Sequence, residues 1–385
     1  MGLYLNSDRS LKNYEELYRS DYFVDKSLII ERLNKLIGKR SKYLCITRPR
    51  RFGKTSVADM VAAYYSKAVD SKSIFDNLNI STVNSYDENL NKYNVINISF
   101  NKMPDSGKTY DDYIKMIKQS LISDIVKYYP NINPNEFFTV GDMLESTGDQ
   151  FIFVLDEWDY IFSKELFQEN QDDFLEFLTF LLKDKPYVLL CYMTGVLPIK
   201  RYSSGSALNM FDEFTFLKDR RFGEFFGFTT DEVLTLCDEN QYMDFEKLEV
   251  WYNGYTTANG VKIYNPRSVI KALRDKSFGY VSEIIENSRT MLKATVNKDT
   301  ETVEKILHDI HNSEIPILQY NDENSLSCVV TLVYLSARDT YRVEREENTG
   351  KGYADFTFHP RQKNDTAFIV ELKKRRGARS CYKAN

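Results

Sequence analysis

ITRPRRFGKTSV, residues 46–57, sets the reading of this chain. It leads from an apolar, β-type stretch, YLCIT at 43–47, through a short basic loop into a helical pattern. Val57, Met60, Val61, Tyr64, Tyr65 and Ala68 carry that pattern, spaced to form one apolar stripe. Buried strand, short loop, Gly-Lys-Thr and helix is the setting that a phosphate-binding loop requires. There, backbone N–H groups and the positive end of the helix dipole face anionic phosphates. Lys54 is expected to reach the β- and γ-phosphates as a point charge, and the Thr55 hydroxyl to ligate Mg²⁺. The pattern GxxxxGK[ST] asks for glycine five residues before Gly53, and Arg48 stands there instead. The turn must then be made without glycine's backbone freedom, with Pro49 as a candidate for fixing the chain. A basic surface turn between strand and helix is the competing interpretation.

A second signal lies downstream in FIFVLDEWD, 151–159, an apolar strand ending in acids. Asp156 is expected to hold Mg²⁺ and Glu157, at the strand tip, to orient or deprotonate an attacking water. The plain alternative is a strand that ends in a polar loop. The two motifs come in order, with another strand candidate, VINISF at 95–100, between them, and the combination is more specific than either alone. Thr194 closes the strand candidate YVLLCYMT, 187–194, where it is a candidate γ-phosphate sensor or simple turn chemistry. Arg50 and Arg51 are candidates for phosphate contact or an arginine finger, or are exposed loop charges. The candidate ATP-binding set is Arg50, Arg51, Phe52, Gly53, Lys54, Thr55, Ser56 and Asp156. Lys54, Glu157 and Thr194 are the catalytic candidates, with Mg²⁺ expected at Thr55 and Asp156.

The chain has 385 residues, 42% hydrophobic and 28% charged, enough for two or three domains with a substantial core. No apolar run approaches the roughly 20 residues needed to cross a bilayer, and the first residues carry no secretory pattern, so a cytoplasmic protein is expected. Five scattered cysteines without a CxxC pair fit reduced thiols rather than a disulfide framework. His308 and His311 share a helical face without a completing ligand set, and an ordinary polar face is expected there. A net charge of −5 leaves only local basic patches, 48–54 and 373–379, for any contact with DNA or RNA.

Short apolar strand candidates alternate with helical patterns through the first half, which predicts a three-layer α/β domain with a parallel sheet over 1–222. Amphipathic helical segments follow over 223–325 and predict a helical domain, open to a winged-helix reading. From 326 to 385, an apolar helix leads to strand-like YRVER, YADFTFH and AFIVELK.

With these residues in hand, the chain resembles the bacterial AAA-ATPase-like family, which pairs a P-loop domain with a C-terminal nuclease of the PD-(D/E)XK type. The matching stretches are YFVDKS (22–27), TRPRRFGKTS (47–56), VLDEWD (154–159), MTGV (193–196), FFGFTTDEV (225–233), WYNGY (251–255) and YNPRSV (264–269). The family commonly has arginine at the first loop glycine, so the resemblance implies that Arg48 is not disabling. It also implies a nuclease-like core in which Asp355 and Glu371 bind a metal and Lys373 orients water, with Glu346 as a further ligand. Read alone, an acid and an E-x-K sixteen residues later are common strand-end charges. The sequence ends twelve residues after Lys373, where the family continues, so a truncated core with weak or no cleavage is expected. The implied function is ATP binding and Mg²⁺-dependent hydrolysis coupled to conformational change, in nucleic-acid metabolism or defence against mobile elements. A nucleotide switch with negligible turnover, working through partners, is the first alternative, and a metal-dependent nuclease the second. A homo-oligomer or a partner protein is the expected assembly, with nucleic acid held by the helical domain and the basic C-terminal patch.

Overall fold

The computed structural model describes residues 2–104, 109–202, 207–216, 219–239, 245–252, 255–275, 279–314, 334, 337–348, 353–362 and 365–371. The chain divides into two compact units, Met1–Arg274 and Asp275–Asn385.

The first unit is built on α1 (Arg9–Tyr18), β1 (Tyr43–Thr47), α2 (Lys54–Tyr65), β2 (Asn94–Ser99), α3 (Tyr110–Tyr128), β3 (Phe151–Asp156), α4 (Gln171–Leu182), β4 (Val188–Gly195) and β5 (Asp212–Thr215). The strands form one sheet in the order β2-β3-β4-β1-β5, with every pairing parallel. Successive side chains alternate between its faces, and both faces are covered. Tyr43, Cys45, Ile98, Phe153, Leu155 and Met193 pack with Ile117 and Leu121 of α3 and Phe174 and Leu178 of α4. Leu44, Ile46, Val154 and Tyr192 pack on the other side with Tyr14 of α1 and Val57, Val61 and Tyr64 of α2. This is the three-layer α/β arrangement expected, and it accounts for the unbroken apolar character of β1, β3 and β4.

β5 is absent from the sequence reading. Its residues, DEFT, neither alternate cleanly nor form an apolar run, and the strand exists because β1 offers it a parallel edge, Leu44 pairing with Asp212 through Thr47 with Thr215. The stretch beyond 222, read as helical and open to a winged helix, holds strands that the sequence reading did not place: β6 (Phe228–Thr229), before helix α5 (Thr230–Glu239), then β7 (Tyr255–Thr256) and β8 (Lys262–Tyr264). They form a small antiparallel sheet in the order β6-β8-β7. Runs of two or three residues are too short to show a period-2 pattern, which hid them.

The second unit contains α6 (Gly279–Val296), α7 (Thr300–Glu314), β9 (Tyr341–Asn348), β10 (Tyr353–Pro360) and β11 (Phe368–Val370). Its strands pair antiparallel in the order β11-β10-β9. Met291, Ile306, Tyr334, Tyr341, Phe356 and Phe358 make its core, with Phe358 and Phe368 stacked at 4.3 Å. No helix among the described residues is long and apolar enough to cross a membrane.

Candidate functional site

The C-terminal tips of β1, β3 and β4 meet because of register. Ile46 pairs with Thr194, Leu155 with Met193, and Ser99 of β2 with Asp156. Residues just beyond these pairs are therefore neighbours although they lie up to about 150 positions apart in the chain.

After β1, the chain runs through Arg48–Phe52 and enters α2 at Lys54. Gly53 caps that helix with φ +82°, in the left-handed region. A Cβ there would meet nothing within 4 Å, so glycine is favoured by conformation and not by space. The Lys54 ammonium is buried and donates a 2.9 Å hydrogen bond to the Pro49 carbonyl, across the mouth of its own loop. Burial pushes its pKa down, opposed by the carboxylates of Asp156, Asp159 and Glu157. The Thr55 hydroxyl donates to Oδ2 of Asp156 at 2.7 Å, and the Thr194 hydroxyl donates to Oδ1 of the same carboxylate at 2.8 Å. Three of the sequence candidates thus form one hydrogen-bonded group centred on Asp156, itself buried.

Glu157 follows with φ +52°, a left-handed conformation that costs a non-glycine residue about 1 kcal/mol and is held by surrounding structure. The next amide, Trp158 N–H, donates to the Thr194 carbonyl at 3.2 Å, so the chain folds sharply across the tip of β4. Arg51 is exposed and also left-handed, at φ +68°, while Arg50 and Ser56 are half-buried. Phe52 is fully buried, its ring turned into the protein.

Arg48, the departure from the glycine pattern, is also buried. Its guanidinium pairs with Asp219, donates to the carbonyls of Thr47 (2.8 Å) and Phe214 (2.9 Å), and lies 4.8 Å from the centre of the Phe226 ring. Arginine therefore has a structural task here, tying the root of the loop to β5 and the segment after it. Pro49 contributes the carbonyl that receives Lys54.

Asp159 went unassigned in the sequence, although it closes the acidic motif. It is buried, and its Oδ2 accepts from the amides of Val196 (3.0 Å) and Leu197 (2.7 Å), fixing the turn after Thr194. Burial pushes its carboxyl pKa up, against the pull of those two amides and Lys54. Gly195 sits so close that a Cβ would lie 2.6 Å from the Trp158 ring. The usable signal was the MTGV glycine following a strand, but nothing in sequence paired it with Asp159.

In the second unit, Phe356 pairs with Val370, so Asp355 and Glu371 are the next residues out on neighbouring strands. On the other side of β10, Ala354–Glu347 and Phe356–Arg345 flank Asp355, which puts Glu346 at its register position. Asp355 is half-buried and Glu371 exposed. Lys373 and the 373–379 patch lie outside the described residues, as does most of 315–336. Among the described residues, no group of three or more His, Cys, Asp or Glu side chains is arranged to hold a metal ion.

Comparison with known proteins gives two family matches. The family described as "Predicted AAA-ATPase" matches residues 9–203, and the "PD-(D/E)XK nuclease superfamily" matches residues 321–384. No curated protein matches the chain. Solved structures that resemble it distantly include two with bound nucleotide analogues. One is AMPPCP-bound DnaA from Aquifex aeolicus, at 13% identity and a TM-score of 0.33, covering 79% of this chain and 75% of that one. The other is the ORC2 protein of Aeropyrum pernix in ADPNP-ADP complexes, at 11% identity and a TM-score of 0.35, covering 91% and 89%. With the first family match spanning half of its length, over the strands and loops just described, the chain belongs to the AAA-ATPase-like family and carries a PD-(D/E)XK nuclease-like stretch behind it.

Proposed function

We propose that the first unit binds Mg-ATP at the loop 48–55 and hydrolyses it, using Lys54, Thr55, Asp156, Glu157 and Thr194. The observation that carries this is the Thr55–Asp156–Thr194 hydrogen-bonded group beside a buried lysine at a helix N-terminus. A hydroxyl and a carboxylate are hard oxygen donors, which suit Mg²⁺, and Thr55 and Asp156 are the residues that would hold it. Bound there, the metal would offset negative charge on the β- and γ-phosphates.

The protein's own part follows from its contacts. Lys54 exchanges its bond to the Pro49 carbonyl for a phosphate oxygen, gaining a charged partner for a buried cation. Thr194 holds Oδ1 of Asp156, so the other oxygen is directed to the Thr55 side. Glu157, one residue beyond the strand tip, is the group that orients or deprotonates water. Asp159 keeps the turn after Thr194 in place through its two amide bonds.

Phosphate release from Mg-ATP by the purified chain, beside Lys54→Ala and Glu157→Gln, tests the reading. Wild-type turnover lost in both variants is expected. Binding without turnover, lost in Lys54→Ala, would favour a nucleotide switch that works through a partner or a second copy.

For function we propose a three-part division: nucleotide chemistry in 1–222, a helical, lid- or winged-helix-like part in 223–325 and nuclease likeness in 326–385. The juxtaposition of Asp355 and Glu371 supports a further reading in which the second unit acts on DNA or RNA with a divalent metal, assisted by Lys373. Nicking of a plasmid in Mg²⁺ or Mn²⁺ that disappears in Asp355→Ala is the expected sign, and its absence would leave this stretch as a remnant or a docking element. A role in nucleic-acid metabolism or defence against mobile elements is proposed from the pairing of the two family likenesses, and a cytoplasmic location from the sequence reading.

A further inference from the structure

The segment 219–264 has no part in the chemistry above, yet it grips the phosphate loop at both ends. At the root, Arg48 is bound to Asp219 and covered by Phe226. At the tip, the Phe52 ring sits edge-on against Phe216 (5.7 Å between centroids, 74°) and Tyr255 (5.6 Å, 67°), which touch each other at 5.8 Å. The Phe52 carbonyl accepts a 3.1 Å hydrogen bond from the amide of Gly227. Gly227 has φ +80°, and a Cβ on it would run into Ile263, the Tyr264 carbonyl and the Phe52 ring. Only glycine lets the segment come this close to the loop.

The grip has a firm base. Lys26 donates to the Glu224 carbonyl (2.8 Å) and pairs with Glu232 (2.6 Å), while Arg32 pairs with Glu224 and lies over Phe225. Glu232 accepts from the Thr229 amide in turn, and its own amide donates to the Thr229 hydroxyl, capping α5. The stretches YFVDKS, FFGFTTDEV, WYNGY and YNPRSV, which the ATP chemistry leaves without a task, each contribute a residue to this seat: Lys26, Gly227, Tyr255 and Tyr264.

We propose that Phe52 is a positioning residue for the phosphate loop: seated between Phe216, Tyr255 and Gly227, it imposes from outside the loop shape that the missing first glycine would allow from within. The proposal rests on the reading that this loop binds ATP. An ordinary loop of this kind carries its own shape; here residues 49–51 lie between two anchors, Arg48 and Phe52, both fixed to the segment 219–264. Loosening the Phe52 anchor frees the backbone N–H groups that must converge on phosphate, and misplacement of that kind costs far more in binding than in overall stability.

Two measurements on the full chain test this, with Phe52→Ala, Tyr255→Ala and Tyr255→Phe. Tyr255 is partly exposed, so its truncation leaves a folded protein even where loss of the buried Phe52 ring does not. The first measurement needs no nucleotide: trypsin cutting after Arg50 and Arg51 reports how often the loop opens. The second is the Kd for Mg-ATP by calorimetry, at a temperature where each variant is folded by circular dichroism. Both Ala variants are expected to be cut at least about tenfold faster and to bind Mg-ATP at least about tenfold more weakly, with Tyr255→Phe like wild type. Folded Ala variants with wild-type cutting and wild-type Kd would overturn the proposal. If the wild type binds no Mg-ATP, the ATP reading falls, and the trypsin rates alone still decide whether Phe52 anchors the loop.

Discussion

Thr194 and Asp156, 38 positions apart in the chain, are joined by a buried 2.8 Å hydrogen bond from the Thr194 hydroxyl to Oδ1 of the Asp156 carboxylate. The other oxygen, Oδ2, accepts from Thr55. One carboxylate is thereby aimed from two sides, by a hydroxyl on each of its oxygens.

Thr194→Val keeps the side-chain shape and removes the donor. It leaves a buried carboxylate oxygen without its partner, which costs about 1–3 kcal/mol of stability. ATP turnover is expected to fall by about tenfold to a hundredfold as Asp156 swings, with less change in the Kd for nucleotide. Melting curves and phosphate release check the two parts. A variant with wild-type turnover would show that the hydrogen bond has no role in catalysis.

Arg48→Gly restores the glycine of the standard loop and is expected to harm the protein. It strands Asp219 without its cation in a site that is fully buried, and it opens the space now filled by the guanidinium. Removing one partner of a buried pair costs about 3–5 kcal/mol. Urea unfolding of Arg48→Gly beside Asp219→Asn measures this. Both should unfold at lower urea than wild type, and an unchanged midpoint for Arg48→Gly would refute the structural assignment.

Asp159 offers a cleaner separation of charge from geometry. Its Oδ2 holds the amides of Val196 and Leu197, which an amide oxygen can also do. Asp159→Asn should therefore keep most of the stability, whereas Asp159→Ala loses both bonds and about 2 kcal/mol or more. The same ranking is expected in turnover, because the turn carries Thr194. Equal loss in both variants would point to the charge of Asp159 instead.

Asp59, one turn beyond Thr55 on α2, has its carboxyl pKa raised to about 6, chiefly by burial, against the 3.0 Å hydrogen bond from Asn13. A carboxyl with a raised folded-state pKa holds its proton more tightly in the folded chain. Its contribution to stability is present below the unfolded value near 4 and is lost as pH rises through about 6. Asp59→Asn is thus expected to melt higher than wild type at pH 7.5 and to lose that advantage near pH 4. Melting temperatures of the pair across that range test the sign.

The strands that build the site were legible because they are buried on both faces. YLCIT, FIFVLD and VLLCYMTG are apolar runs for which the sequence needs no partner to be read. Gly53, Lys54, Thr55 and Asp156 stood out because a phosphate and metal site would demand those residue types at strand and helix ends, and the fold brings Thr55 and Asp156 into hydrogen-bond contact. What the sequence could not supply was anything decided by contact between distant segments. Arg48 reads as a defect until Asp219, Phe214 and Phe226 surround it. Asp159 reads as a loop acid until the turn after Thr194 closes on it, and Phe52 as one more residue of the candidate nucleotide loop until Gly227 and Tyr255 receive it. Periodicity and motif spacing record local geometry and backbone direction; which buried charge meets which carboxylate depends on strand order and register, and those exist only once the chain has folded.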